Sequence, residues 1–166
     1  SSDVCSSDLR SMLAEDIKPN RLEFTKDKIR KLITMLPKDR VGLVLFAAQA
    51  YVQCPLTLDR SAFNMFLNQI DKDTVSGGST SLSSAVQACI DQCKKDNTQS
   101  KIVVVFTDGE DFSSDLLSAK KHAKDLDLKI FTVGVGTKEG AMVPRYDIYG
   151  TFVGNQKDKK GNEVIS

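Results

Sequence analysis

An α/β fold with a doubly wound, mostly parallel sheet is predicted by three features of the sequence. Lys101 to Phe106, KIVVVF, and Leu128 to Val135, LKIFTVGV, are apolar, β-branched runs of the kind that is buried on both faces in a parallel sheet. Segments with helical apolar spacing separate these strands from each other and from an earlier strand, RVGLVLF, at Arg40 to Phe46. A chain of 166 residues is long enough for one domain with a sizeable core.

The elements follow in order. Asn20 is placed to cap a first helix, with Glu23 three residues later; Leu22, Ile29, Leu32, Ile33 and Leu36 then recur at helical spacing until Pro37. AYVQC from Ala50 follows RVGLVLF so closely that the two strands are expected to pair as an antiparallel hairpin. Asp59 caps a second helix whose inner face carries Phe63, Phe66, Leu67 and Ile70. Ser76-Gly77-Gly78-Ser79 is a loop, and Thr80 opens a third helix reaching about Lys95. Its stripe of Leu82, Ala85, Val86, Cys89, Ile90 and Cys93 makes the two cysteines small buried hydrophobes. Ser114 to Leu126 reads as helix, and Val143 to Ser166, with turn signals at Gly150, Gly154 and Lys160-Gly161, as short antiparallel strands beside the core.

Composition narrows the partners. The net charge of +1 and 27% charged residues favour neither nucleic acid nor an anionic membrane surface, and the late lysines in QKDKKGNE fit a solvated turn. No apolar run approaches the ~18 residues of a membrane helix, and the N-terminus lacks the basic end and apolar stretch of a signal peptide. Four cysteines without a CxxC pair lean weakly towards a reducing compartment.

In a doubly wound sheet, ligands bind beyond the carboxyl ends of the strands. Two loops there carry oxygen donors: Gly77-Gly78-Ser79-Thr80 before a helix, and Thr107-Asp108-Gly109-Glu110-Asp111 after KIVVVF. Hydroxyl and carboxylate oxygens suit a hard divalent cation such as Mg²⁺. Each loop also has a purely structural reading, Thr80 as a helix cap and Asp108-Gly109 as a turn.

SGGSTSLSSAV, IVVVFTDGEDF and IFTVGVGT, in that order, resemble a von Willebrand factor type A domain, a Rossmann-like α/β fold. RSMLAEDIKPNRLE, DRVGLVLFAAQAYVQCPLTLD and GTFVGNQKDKKGNEVIS are similar to the bacterial BatA/BatB type of the aerotolerance operon. The resemblance covers residues 10–166, with a partial domain core over 10–136 and a loop and β-hairpin extension over 137–166. It implies a metal-ion-dependent adhesion site built from a D-x-S-x-S loop, a threonine and an aspartate. Ser11 matches the second serine of that loop, Thr80 the threonine and Asp108 the aspartate. Leu9 and Ser7 stand where the first serine and first aspartate belong, so the site as written is incomplete.

The opening stretch DVCSS imitates D-x-S-x-S but stands four residues too early. Ser1 to Leu9 match residue for residue the translation of a common sequencing-library adapter end, and residues 1–9 are expected to be adapter-derived. A cysteine-substituted metal loop and a native N-terminus are the alternatives. On the family pattern the chain then lacks the first, central strand and the final strand and helix, and by itself it is expected to fold poorly or to aggregate through its unpaired strand edges.

By resemblance the intact protein is a Mg²⁺-dependent protein-binding module, in which a partner's Glu or Asp completes the ion's coordination. The resemblance also implies anchoring in the bacterial inner membrane by flanking helices, with a MoxR-type AAA+ ATPase and other proteins of the same family as partners. No enzyme activity is expected: His122 lies in the lysine-rich AKKHAKD, and neither a G-x-S-x-G elbow nor a Walker loop occurs. Two other functions stay open, a Mg²⁺-dependent phosphoryl-handling enzyme and a receiver-like domain with Asp108 as phosphoacceptor.

Overall fold

The computed structural model describes residues 10–46, 50–71, 82–94, 101–108, 121, 123–124, 128–146, 149, 151–155, 157 and 160–163. A 3-10 turn at Arg10–Leu13 leads to α1 (Arg21–Thr34), β1 (Val41–Phe46), β2 (Ala50–Thr57) and α2 (Arg60–Asn68). Then come α3 (Leu82–Lys94), β3 (Lys101–Thr107), β4 (Leu128–Gly134), β5 (Pro144–Tyr146) and β6 (Phe152–Asn155).

Both predicted helix caps are present. Asn20 Oδ1 accepts the Glu23 N–H at 2.8 Å, and Asp59 Oδ1 accepts from Ser61 and Ala62 N–H at 2.9 and 3.0 Å. Each cap satisfies donors that the helix itself leaves orphaned, worth about 1 kcal/mol. α1 ends at Thr34, before Pro37, and the Arg60 guanidinium donates to the carbonyls of Leu36 and Asp39 just beyond it.

Among the described residues two apolar clusters form the core. Met12, Leu22, Ile33, Cys54, Phe63, Leu67 and Ile70 join the first turn, α1 and α2 to the β1–β2 pair. Val86, Ile90, Val105, Ala123 and Leu128 join α3 to the β3–β4 pair, with Phe46 of β1 packed against them. On the α3 stripe Ala85, Val86 and Ile90 are buried and Cys89 is half-buried, while the Leu82 and Cys93 side chains and His122 lie outside the described residues.

The α/β class holds, but the pairing corrects the expectation of a mostly parallel sheet. Among the described residues three two-stranded pairs occur, and only β3–β4 is parallel, in register from Lys101↔Leu128 to Thr107↔Gly134. β1–β2 and β5–β6 are antiparallel. Connection length explains the split. Residues 47–49 and 147–151 are too few for a crossover, whereas residues 108–127 give β3 and β4 the dozen or more that a parallel connection needs. Gly154, at φ +115°, sits in β6 next to a register shift, where a residue without Cβ accommodates the bulge.

A second correction concerns burial. KIVVVF and LKIFTVGV were expected to be covered on both faces, yet Ile102 is 60% and Phe131 55% exposed. Val105 and Leu128 face α3, and the alternate side chains point away from it. This follows from the pleat, which sends successive side chains to opposite faces.

Candidate metal centre

The centre is built where β3 and β4 end together. The Val135 N–H donates to the Thr107 carbonyl at 2.7 Å, carrying the parallel ladder one step past β4. Gly136 and Thr137 follow directly on that step, as Asp108 follows directly on β3.

The N-terminal segment approaches from the other side. The 3-10 turn closes with Ala14 N–H on the Ser11 carbonyl, and the Arg21 N–H reaches back to the Ala14 carbonyl, each at 3.0 Å. Residues 14–21 thus form a loop whose ends meet, with Ser11 and Arg21 both buried.

Ser11 and Asp108 come together. The Ser11 hydroxyl donates to Asp108 Oδ2 across 97 positions of sequence. Their side chains are nearly sealed from solvent, Ser11 at 1% and Asp108 at 6% exposure. Thr80, the third predicted ligand, lies outside the described residues, as do Gly77 to Ser79, Glu110, Asp111 and residues 1–9.

Three residues that the sequence reading did not single out complete the arrangement. The Arg21 guanidinium donates from Nε and Nη2 to the two oxygens of Asp16 at 2.8 and 2.9 Å, a bidentate pair. Its Nη1 stands 3.6 Å from the same Asp108 oxygen that Ser11 contacts. Asp16 Oδ2 also accepts from the Thr137 N–H at 2.8 Å and its hydroxyl at 3.1 Å. Gly136 leaves room for the guanidinium, because a Cβ there would lie 3.2 Å from Arg21 Cζ and Nη2. The Arg21 hydrogen bonds, reinforced by those from Thr137, hold the Asp16 carboxyl down at about 2. A sequence signal for the pair did exist, an acid and an arginine flanking a short loop before a capped helix; their reach to Asp108 and Thr137 had none.

The residues present fit a hard divalent cation in kind. A hydroxyl and a carboxylate oxygen meet in a part-buried site, and Mg²⁺ takes few protein ligands and keeps several waters. No group of three His, Cys, Asp or Glu side chains converges among the described residues. Beside the centre an open cavity of about 330 Å³ is lined by Glu15, Asp16, Met142, Pro144, Phe152 and Asn155, among others.

Residues 10–110 match the model of the von Willebrand factor type A domain. A solved BatB, a conserved hypothetical protein of Bacteroides thetaiotaomicron, superposes with a TM-score of 0.83 at 30% identity, over 95% of this chain and 75% of its own. An aerotolerance-related membrane protein of Bacteroides fragilis, solved with multiple mutations to serines, gives 0.82 at 30% identity, over 95% and 76%. The SpRpn10 VWA domain shares the fold alone, with a TM-score of 0.63 at 22% identity over 75% of this chain and 68% of its own. An uncharacterized protein of Borreliella burgdorferi is 34% identical over 122 residues, 72% of this chain, and the chain spans 36% of that relative's length. The chain belongs to the von Willebrand factor type A domain family and is closely related to the bacterial BatA/BatB aerotolerance-operon proteins.

Proposed function

We propose that this domain is a protein-binding module that captures an acidic side chain of a partner through a divalent cation, Mg²⁺, held by Ser11, Thr80 and Asp108. The observation that carries this reading is the part-buried contact between the Ser11 hydroxyl and the Asp108 carboxylate, two oxygen groups 97 positions apart in the sequence. Kinship with BatA/BatB proteins supports it. The bound ion would supply positive charge and an open coordination position for the partner's Glu or Asp. The chain's own part is to hold oxygens: Ser11 on its 3-10 turn, Asp108 at the end of β3, with Arg21 and Asp16 bracing the loop between them. Nothing in that role requires covalent chemistry, and the module is read as non-enzymatic.

The longer protein is read as anchored in the bacterial inner membrane, working with a MoxR-type AAA+ ATPase and other proteins of the same family. Its relative from Bacteroides fragilis is described as a membrane protein, which supports the anchoring. No helix among the described residues is long and apolar enough to cross a membrane.

The test is retention of a purified MoxR-type ATPase on the immobilised chain, in Mg²⁺ and in EDTA, with wild type and Asp108→Asn. Retention only by wild type, and only with Mg²⁺, is expected. Equal retention in all four conditions would overturn metal-dependent capture.

A further inference from the structure

A guanidinium is an unexpected neighbour for a cation site. Arg21 is 2% exposed, and its position is fixed from three directions. Asp16 grips it bidentately, Gly136 leaves open the space a Cβ would fill 3.2 Å from Cζ, and Asp108 stands 3.6 Å from Nη1. Asp16 is itself fixed by the backbone and hydroxyl of Thr137, so the pair cannot swing away as a surface arginine would. An arginine stays charged at any pH a protein meets. Any divalent cation touching Ser11 and Asp108 would therefore sit within several ångströms of a permanent positive charge in a part-buried site, where charge effects exceed those in bulk water.

We propose that Arg21 is a positioning residue that sets the ion affinity of this centre. As a fixed positive charge 3.6 Å from the Asp108 carboxylate, it keeps divalent binding weak. Asp16 decides how much of that charge Asp108 feels. The inference rests on the reading of Ser11 and Asp108 as ion-holding residues, and goes beyond it by naming what tunes them.

The test is calorimetric titration of Mg²⁺ into the full chain for wild type, Arg21→Gln, Asp16→Asn and the double variant, with thermal unfolding of each metal-free protein beside it. Removing the positive charge should tighten Mg²⁺ binding about tenfold, and removing the Asp16 charge should weaken it about tenfold. The double variant restores the net charge and should return to within about threefold of wild type. A residue that only braces the fold would weaken binding in all three variants, in step with lost thermal stability, and that pattern would overturn the proposal. Should Arg21→Gln fail to fold, Asp16→Asn decides alone, since Asn can still accept from Arg21 and Thr137; unchanged or tighter binding would overturn it. Mg²⁺ binding that no variant alters refutes the role of Arg21 and leaves the ion site standing. Absence of binding in both wild type and Arg21→Gln removes the ion site, and this inference with it.

Discussion

Lys26 offers the sharpest test of how the first cluster is held together. It lies on the buried side of α1, 5% exposed, and its Nζ donates to the Ile70 carbonyl at 2.7 Å and to Glu23 Oε1 at 2.8 Å. Ile70 follows the C-cap of α2, where helix carbonyls lack intrahelical donors, so a lysine of α1 satisfies the end of α2. Lys26→Met keeps the length and apolar stem of the side chain and removes the charge and the donor. A charge-assisted bond is worth ~1.5–3 kcal/mol, and relief from burying an ammonium offsets part of that; a net loss of about 2 kcal/mol follows. The Glu23 pair adds little, because Glu23 is 41% exposed and such pairs contribute ~0–1 kcal/mol. In a domain of this size the melting temperature should fall by about 4–8 °C. Thermal and urea unfolding followed by circular dichroism would measure it, with Glu23→Gln as the comparison at under ~0.5 kcal/mol. A Lys26→Met protein within about 0.5 kcal/mol of wild type, or a Glu23→Gln protein equally destabilised, would show that the Lys26–Ile70 bond does not hold α1 to the end of α2.

Asp16 makes a prediction about acid. Its carboxyl is lowered from 3.8 to about 2, so the stability it contributes is fully present above about pH 4 and lost as pH falls towards 2. Screening limits this to ~1–2 kcal/mol, and melting curves between pH 4 and 2 should fall less steeply for Asp16→Asn than for wild type; parallel curves would show that Asp16 is not the titrating group. Gly136→Ala places a Cβ against the Arg21 guanidinium at a backbone φ of +149° and should destabilise by about 2 kcal/mol in urea unfolding, whereas a neutral effect would mean the guanidinium is not seated there. Cys54 is buried, which raises its thiol pKa, so native alkylation followed by mass spectrometry should label Cys89 well before Cys54. Equal labelling would contradict the packing of β2.

What the sequence revealed and what it hid divide along physical lines. Asn20 and Asp59 were legible because a cap is a local event, an oxygen and an N–H two or three residues apart. Phe63, Leu67 and Ile70 were legible because helical period and burial coincide. Asp108 was legible as an oxygen donor in the loop after β3, while Ser11 was reached only through a family resemblance, since nothing local links residues 97 positions apart. Arg21 was passed over because the first helical position is ordinarily solvated; its burial depends on Asp16, Gly136 and Asp108 arriving from three parts of the chain. Strand direction was misjudged in the aggregate for a similar reason: apolar runs reveal burial, while connection length decides parallel or antiparallel. Ile102 and Phe131 show that an apolar run does not by itself specify two covered faces.

The central claim, that Ser11 and Asp108 hold a divalent cation, is tested most directly by titrating Mn²⁺ into the chain and following the free ion by electron paramagnetic resonance. Wild type, Ser11→Ala and Asp108→Asn would be compared, with circular dichroism confirming that each is folded. One saturable site is expected in wild type, displaced by Mg²⁺, weakened by Ser11→Ala and abolished by Asp108→Asn. Identical binding in all three folded proteins, or no binding in wild type, would contradict it.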